Sequence, residues 1–236
     1  MYTERRYMET IIDRYEQKYL LSKEEYNNLI NLIENYLVKD KYFMETIYNI
    51  YFDNDQFELI NRSIEKPIYK EKMRMRSYYK TDNDTNIFLE IKKKYADTSN
   101  KRRVIISYKD YLDYINKGII PECDKQIMSE IDYCFKNYKL KPKIKLVYDR
   151  LAYNLKNNDS FRITFDTNVR YNLNNFDFNN EDDIMFMHDG YIMEIKTFNG
   201  IPLWLNKVLN NLNIYPTSYS KVGKIYNNVK EIIINV

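Results

Sequence analysis

The sequence predicts an α+β protein in which about eight antiparallel strands close into a β-barrel tunnel with flanking helices. Charged and apolar residues alternate along several short runs, as expected for strands with one packed face and one polar face. Between these runs lie segments with helix start signals and apolar residues at helical spacing. The 4 glycines and 5 prolines form no linker-like stretch, so we expect residues 1–236 to form a single domain.

The helices are predicted from capping residues. Ser22 followed by Glu25 is a capping-box sequence, and the apolar spacing that follows predicts a helix over residues 23–38. A helix after Ser107 should end near Gly118, because glycine readily adopts the left-handed conformation that ends helices. Three further helices are predicted: one after Asp124, one with Pro202 in its first turn, and one through Val222, Ile225 and Val229.

The strands are predicted from runs of alternating polarity that short polar turns separate. In chain order these runs are IIDRYEQKYLL, METIYNIYF, YKEKMRMRSYY, NIFLEIKKKY, KIKLVYDRLAY, SFRITFDTNV, DIMFM and YIMEIKTF. His188 lies in an HDG sequence between the last two runs, where a hairpin turn is expected and a metal ligand is not.

The composition is typical of a soluble globular protein, with 44% apolar residues, 30% charged residues and a net charge of +3. Nucleic acid is not an expected partner, because proteins that bind it over their whole surface are usually more basic. The N-terminal residues lack the apolar run of a signal peptide, and no stretch reaches the roughly eighteen apolar residues of a membrane span. We therefore expect a cytoplasmic protein without direct membrane insertion.

Several common sites are missing from the sequence. Cys123 and Cys134 have neither the spacing of a zinc site nor that of a disulfide framework. The chain also has no Walker loop and no GxGxxG motif. A P-loop or Rossmann phosphate site is therefore not expected.

Six of the predicted strands place charged or hydrogen-bonding side chains on one face. A solvated face explains this pattern in any single strand, but Arg-x-Arg and Glu-x-Lys recur on successive strands. A ring of guanidinium and ammonium groups repels itself unless it holds an anion, and oligophosphate matches both groups. The interspersed carboxylates either pair with these cations or hold Mg²⁺ or Mn²⁺. The positions are Arg14, Glu16 and Lys18; Arg74 and Arg76; Glu90, Lys92 and Lys94; Tyr148 and Arg150; Arg162, Thr164 and Asp166; and Glu194 and Lys196.

At these residues the chain resembles the VTC domain of polyphosphate polymerases, within the triphosphate tunnel metalloenzyme superfamily. The matching segments follow the family order over nearly the whole chain: RYEQKYLLS, YNIYFDN, KMRMRSYY, FLEIKKK, YDRLAY, FRITFDTN, YIMEIK and SYSK. Related triphosphatases and class IV-type adenylyl cyclases carry Glu-x-Glu-x-Lys in the first strand, where this chain has Arg14, Glu16 and Lys18. Exchange of one metal-binding carboxylate for a cation favours a polymerase over a two-metal hydrolase.

The resemblance implies a role for each matching position. Glu194 corresponds to the metal-binding carboxylate, which would hold Mn²⁺ or Mg²⁺, whereas Ser218 stands where related polymerases have another basic residue. The residues expected to grip phosphate and act in catalysis are Lys18, Arg74, Arg76, Lys92, Arg150 and Arg162. The additional substrate-binding residues are Arg14, Tyr148, Lys196, Ser220 and Lys221.

The resemblance also implies an activity, the transfer of the γ-phosphoryl group of ATP to a growing polyphosphate chain with release of ADP. ATP and inorganic polyphosphate would be its ligands. A separate membrane protein is a candidate partner, because the full polymerases of this family couple synthesis to translocation. Three alternatives stay open: a tunnel-fold triphosphatase or nucleoside triphosphatase, a non-catalytic polyphosphate-binding module, and a β-rich interaction domain with solvated charges.

Overall fold

A computed structural model of the protein describes residues 15–65, 67–96 and 98–234. These residues form an α+β structure with a large antiparallel sheet and flanking helices, as predicted. The strands are β1 (Tyr15–Ser22), β2 (Leu37–Asp53), β3 (Tyr69–Ser77), β4 (Asn86–Tyr95), β5 (Thr98–Ser107), β6 (Lys141–Leu155), β7 (Asn158–Asn172), β8 (Ile184–Met187) and β9 (Gly190–Thr197). The helices are α1 (Lys23–Ile33), α2 (Glu58–Glu65), α3 (Tyr108–Lys117), α4 (Lys125–Tyr138), α5 (Leu203–Asn211) and α6 (Lys221–Ile234).

The strands follow the order β1-β9-β7-β6-β2-β3-β4-β5, and β8 pairs with β7. Over the described residues this order has two ends, β1 and β5, so the prediction of a closed barrel is wrong. Alternating polarity identifies the two faces of each strand, but it does not show whether the first and last strands pair. The hairpin predicted around His188 is also wrong, because β8 pairs antiparallel with β7, with Val169 opposite Met187.

The capping box predicted at the start of α1 is present. Ser22 Oγ accepts a hydrogen bond from Glu25 N at 3.1 Å, and Glu25 Oε2 accepts one from Ser22 N at 2.7 Å. Helix α1 ends at Ile33 and does not reach residue 38, since β2 begins at Leu37. Leu37 fits the helical spacing, but the sheet pairing of the residues after it overrides this local preference.

The other predicted helices are confirmed, with one shift. Ser107 and Asp124 are the N-caps of α3 and α4, and Gly118 ends α3 in the left-handed conformation with φ of 71°. Pro202 is the N-cap of α5 and precedes its first turn. Helix α2 and strand β5 are elements that the sequence patterns did not indicate. None of the described helices combines the length and the hydropathy needed to cross a bilayer.

The chain divides into two compact units, each with its own core. The first unit contains the described part of Met1–Phe43 together with Leu151–Phe165 and Gly190–Ser218. Its core joins residues of α1 and α5 to residues of β1, β7 and β9. Among its most buried members are Leu21, Leu29, Ile33, Phe161, Phe165, Met193, Ile195 and Leu205.

The second unit contains Met44–Arg150, Asp166–Asp189 and the described part of Tyr219–Val236. Its core joins α3 and α4 to one face of β3, β4 and β5. The strand residues that point into this core are Met73, Met75, Leu89, Ile91, Val104 and Ile106. Because side chains alternate along a strand, the residues between these positions lie on the opposite face. The prediction of one domain over residues 1–236 stays a prediction.

Candidate functional site

Strand β3 in the second unit carries basic side chains along one face. Arg74 and Arg76 alternate with Met73 and Met75, which are buried in the core. The same alternation places Lys72 on the basic face. Strand β3 is thus divided into an apolar face and a cationic face.

The register of the sheet extends this basic face onto β4 and β5. Directly paired residues share one sheet face and have Cβ atoms about 5 Å apart. Two rows of such pairs cross the three strands. Read from β3 to β5, they are Arg74, Glu90 and Arg103, and Lys72, Lys92 and Lys101. The three strands therefore present one continuous, mainly cationic surface.

Glu90 is a buried counterion within this surface. Its side chain is 1% exposed, with Oε2 2.6 Å from Arg74 Nε and Oε1 2.5 Å from Lys101 Nζ. Burial raises the pKa of Glu90, but the charges of Arg74 and Arg76 outweigh burial and hold the pKa at about 2. The carboxylate is therefore ionised at neutral pH and fixes the positions of two cations.

Strand β2 supplies neutral groups that orient the two arginines. Tyr51 lies opposite Arg74, and its hydroxyl accepts a hydrogen bond from Arg74 Nη1 at 3.3 Å. Asn49 lies opposite Arg76, and its Oδ1 accepts from Arg76 Nε at 3.0 Å. Asn49 is itself held by a hydrogen bond from its Nδ2 to Leu146 O at 3.1 Å. These contacts fix the guanidinium planes without neutralising them.

A second buried carboxylate holds Arg150 and Lys221. Asp166 is 1% exposed, and its two oxygens accept hydrogen bonds from Arg150 Nε at 2.6 Å and Nη2 at 2.8 Å. Lys221 Nζ donates to Asp166 Oδ2 at 2.5 Å. Burial raises the pKa of Asp166, but the charges of Arg150 and Lys221 lower it to about 2. Burial alone would lower the pKa of Lys221, and the Asp166 charge raises it instead.

Tyr148 connects the arginines of β3 with this second carboxylate group. Its buried hydroxyl accepts a hydrogen bond from Arg76 Nη2 at 3.3 Å. Lys221 Nζ lies 4.5 Å from the centre of the Tyr148 ring, within range of a cation–π interaction. Tyr148 thus positions one cation through its hydroxyl and another through its ring.

Ser220 lies at the start of α6 and contacts the basic face. Its Oγ accepts hydrogen bonds from Lys72 Nζ at 3.0 Å and from Gly223 N at 3.3 Å. A Cβ atom at Gly223 would lie 3.3 Å from both Ser220 Oγ and Ile64 Cγ1. Glycine at this position therefore leaves room for the Ser220 hydroxyl at the helix start.

The second unit thus brings together seven of the predicted site residues. They are Arg74, Arg76, Lys92, Tyr148, Arg150, Ser220 and Lys221. We use the name basic cluster for the eight cationic side chains Lys72, Arg74, Arg76, Lys92, Lys101, Arg103, Arg150 and Lys221. The eight positive charges of the cluster exceed the two negative charges of Glu90 and Asp166, so the cluster suits a ligand with several negative charges.

In the first unit, four charged residues alternate across β1 and β9. Lys18 lies opposite Glu194, and Glu16 lies opposite Lys196. Lys196 Nζ is 3.4 Å from Glu194 Oε2, and Lys18 Nζ is 3.8 Å from Glu16 Oε1. Glu194 is 9% exposed. The predicted residues Lys18, Glu194 and Lys196 therefore share one face and form a charge-balanced group with Glu16.

Arg162, on β7 of the first unit, is the most loosely held of the described site arginines. Its Nη2 lies 3.6 Å from Asp40 Oδ2, and 37% of its side chain is exposed. Its Nε is buried, and the part of the chain that the structure describes supplies no hydrogen-bond partner for it. Arg14, the remaining predicted site residue, lies outside the described residues.

The described residues offer no group of three or more His, Cys, Asp or Glu side chains that could hold a metal ion. Glu194 and Glu16 share their face with the cations Lys18 and Lys196, so this donor set does not fit a metal held by protein ligands alone. Mg²⁺ and Mn²⁺ can also be held by one carboxylate together with substrate phosphates. A divalent metal at Glu194 would thus need phosphate oxygens as further ligands.

Five residues of this site were missed by the sequence reasoning: Asn49, Tyr51, Lys72, Lys101 and Arg103. Lys72 belongs to the same alternation as Arg74 and could have been found from that pattern. Asn49 and Tyr51 become visible only when β2 is paired with β3, because neither residue is charged. Lys101 and Arg103 depend on the pairing of β5 with β4.

Comparison with known families gives one match that spans all the described strands and most of the chain. Residues 13–228 match the family described as the VTC domain. The chain belongs to the VTC domain family. One relative of this VTC domain is Vacuolar transporter chaperone complex subunit 4 of Trypanosoma brucei brucei, 29% identical over 153 residues. The same subunit of Schizosaccharomyces pombe is 26% identical over 145 residues. These alignments cover 52% of this chain but only 19% and 20% of the two relatives.

A solved structure with a similar fold is a Bacillus halodurans protein described as a candidate adenylate cyclase. The TM-score is 0.54 at 15% sequence identity, and the match covers 87% of this VTC domain and 92% of that chain. At this identity the likeness supports the fold alone. The resemblance found in the sequence motifs is thus confirmed at the level of the family.

Proposed function

We propose that this VTC domain is a metal-dependent polyphosphate polymerase that transfers the γ-phosphoryl group of ATP to a polyphosphate chain and releases ADP. The observation that carries the proposal is the basic cluster, whose eight cations lie around the buried carboxylates Glu90 and Asp166. Two relatives are named as subunit 4 of the vacuolar transporter chaperone complex. A polyphosphate chain would supply the many oxygens that such a cluster can bind.

The proposed chemistry needs no covalent enzyme intermediate. An oxygen of the terminal phosphate of the chain would attack Pγ of ATP while the bond between Pγ and the bridging oxygen breaks, so that ADP leaves. The attacking oxygen is already ionised, and no general base is required. Arg74, Arg76 and Arg150 would stabilise the phosphoryl charges, because their guanidinium groups are held in place before a substrate binds.

The test is incubation of the purified chain with ATP and Mn²⁺, followed by separation of products on a gel and measurement of ADP and phosphate. A polymer ladder with matching ADP supports the proposal. Free phosphate without polymer would instead identify a triphosphatase or nucleoside triphosphatase. Tight polyphosphate binding without any ADP would identify a non-catalytic binding module.

We also propose that the chain acts in the cytoplasm with a separate membrane protein. The proposal of a partner is supported by the two relatives, which are named as subunits of a vacuolar transporter chaperone complex. Co-purification of a membrane protein with the tagged chain from detergent-solubilised cells would support it. Recovery of the chain alone, under conditions that preserve membrane complexes, would contradict it.

We expect Glu194→Gln to abolish activity or its dependence on Mn²⁺ or Mg²⁺. When bound, the divalent metal would supply charge stabilisation at the phosphates, and Glu194 would be its carboxylate ligand. The measurement is a titration of ADP release against metal concentration. Glu181→Gln is the matched control, because this carboxylate is exposed and pairs with Lys80. A Glu194→Gln titration that matches the unaltered protein would place the metal at other ligands.

Two groups of the second unit titrate near pH 8. Burial raises the pKa of Tyr51, but the charges of Arg74 and Lys72 outweigh burial and lower the pKa to about 8. Burial lowers the pKa of Lys101 to about 8, although the charge of Glu90 acts in the opposite direction. As pH rises through this value, Tyr51 gains a negative charge and Lys101 loses its positive charge.

We therefore expect the affinity for tripolyphosphate to fall between pH 7 and pH 9. A bound polyanion favours neutral Tyr51 and charged Lys101, so binding near pH 8 should take up protons. Isothermal titration calorimetry in buffers of different ionisation enthalpy measures this uptake. Tyr51→Phe should reduce the uptake and weaken the pH dependence. An affinity that stays constant over this range in the unaltered protein would contradict the prediction.

A further inference from the structure

Thr164 is a buried polar residue for which the proposed chemistry has no role so far. It is 4% exposed, and no group among the described residues forms a hydrogen bond with its Oγ1. A buried hydroxyl without a partner destabilises a folded protein, so such groups are rare and need an explanation. Thr164 lies on β7 between Ile163 and Phe165, which belong to the core of the first unit. Its side chain is therefore on the other face of the strand.

Arg162 lies on that same face of β7, and it also has a buried polar atom that no described residue pairs with. Its Nε is buried and also lacks a hydrogen-bond partner in residues 15–65, 67–96 and 98–234, while its Nη2 lies 3.6 Å from Asp40 Oδ2. Residues two positions apart on one strand have Cα atoms roughly 6.6 Å apart. Two neighbouring side chains on one strand face thus carry a donor N–H and a hydroxyl that no described residue pairs with.

The chemistry of Arg162 Nε and Thr164 Oγ1 limits the kinds of atom that could bind both of them. An arginine Nε–H can only donate, and a threonine hydroxyl can donate or accept. An oxygen with several lone pairs can accept from both at once. A phosphate oxygen has these lone pairs and also carries the negative charge that a guanidinium favours. A phosphate group therefore matches the hydrogen-bonding chemistry of both Thr164 and Arg162.

We infer that Thr164 is a substrate-binding residue whose hydroxyl donates a hydrogen bond to a phosphate oxygen that Arg162 Nε also binds. This inference rests on the proposed function, since it takes the ligand to be an oligophosphate. No described residue pairs with the hydroxyl, and the ligand would supply its partner. Removal of the hydroxyl should thus weaken binding without destabilising the unliganded fold.

The test compares Thr164→Val, which keeps the shape, with Thr164→Ser, which keeps the hydroxyl. Tripolyphosphate is the probe, and calorimetry and thermal unfolding are the measurements. We expect Thr164→Val to raise Kd about 10-fold, the scale of a hydrogen bond to a charged group. We expect its unliganded melting temperature to be equal or higher, because an unpaired buried polar atom is removed. Thr164→Ser should stay near the unaltered protein in both measurements.

Thr46→Val is the matched control. The Thr46 hydroxyl donates to Asp149 Oδ1 at 2.9 Å, so its removal should lower the melting temperature and leave tripolyphosphate binding unchanged. Equal binding by Thr164→Val and the unaltered protein would overturn the inference and assign water as the partner. If Thr164→Val does not fold, tripolyphosphate binding by Thr164→Ser and Thr164→Ala is compared instead. Equally weak binding by these two variants would also overturn the inference.

The inference and the proposed function fail in different ways. If the unaltered protein binds tripolyphosphate but makes no polymer, the polymerase proposal fails, and a weakened Thr164→Val still supports the role of the hydroxyl. If the unaltered protein binds no tripolyphosphate, both are wrong. If polymer is made and Thr164→Val binds normally, only the role of Thr164 is wrong.

Discussion

Replacement of Arg74 with alanine is expected to lower the turnover of ATP to ADP and polyphosphate about 100-fold or more, the usual cost of losing one preorganised charge-stabilising donor. Arg74 is held by Glu90 at 2.6 Å and by the Tyr51 hydroxyl at 3.3 Å, so its guanidinium group is oriented before a substrate binds. The fold should survive, because Glu90 keeps Lys101 at 2.5 Å as a partner. Steady-state ADP release and thermal unfolding of the variant check both statements.

Arg102→Ala is the matched control for this prediction. Arg102 is next to Arg103 in β5, but it lies on the other face of the sheet, where its Nη1 is 2.5 Å from Glu130 Oε1. Both substitutions remove one partly exposed arginine that pairs with a carboxylate. We expect Arg102→Ala to keep nearly normal turnover. A normal polymer yield from Arg74→Ala, or an equal loss in both variants, would contradict the role of the basic cluster.

The strands that the sequence predicts correctly are those with one apolar and one charged face. In β3 and β4, methionine, leucine and isoleucine alternate with Arg74, Arg76, Glu90 and Lys92, and the same alternation places these side chains in the structure. The polarity of each face therefore follows from local sequence. The direct contact between Arg74 and Glu90 does not, because it depends on the register between two strands.

Strand β5 shows where local patterns fail. Lys101, Arg102 and Arg103 are consecutive, so the run reads as a block of charge without alternation. In the sheet, Lys101 and Arg103 face Glu90, whereas Arg102 faces Glu130 on the opposite side. When both faces of a strand carry cations, the sequence does not show the alternation of polar and apolar residues that identifies a strand. Two members of the basic cluster were missed for this reason.

The YFDN segment of the family resemblance has a structural role in this chain. Asp53 is buried, and its carboxylate accepts hydrogen bonds from Leu59 N at 3.0 Å and Ile60 N at 2.8 Å. Asn54 Oδ1 accepts from Glu58 N at 3.1 Å. These side chains cap α2 from the last residue of β2 and the residue after it, outside the spacing of a capping box. Helix α2 could not be predicted from local capping rules.

Asp166→Asn is expected to lower the free energy of unfolding by about 3–5 kcal/mol, as when one partner of a buried ion pair is removed. The change leaves Arg150 and Lys221 without the anion that both contact. The pKa of Asp166 is about 2, below the ordinary value of 3.8. Its ion pairs therefore contribute stability above pH 4, and this contribution is lost as pH falls towards 2. Denaturant unfolding at pH 7 and pH 2.5 should show a large difference between variant and unaltered protein at pH 7 and a smaller one at pH 2.5.

Glu130→Gln separates this effect from the general cost of removing a carboxylate. Glu130 also contacts one arginine and one lysine, Arg102 at 2.5 Å and Lys93 at 3.1 Å, but its side chain is 27% exposed. Exposed pairs contribute only about 0–1 kcal/mol, so the free energy of unfolding of this control should remain close to that of the unaltered protein.

If the cations near Asp166 bind phosphate, tripolyphosphate should raise the melting temperature of Asp166→Asn more than that of the unaltered protein, because phosphate oxygens replace the missing anion. Equal shifts in both proteins would mean that Arg150 and Lys221 serve the fold and do not bind the ligand.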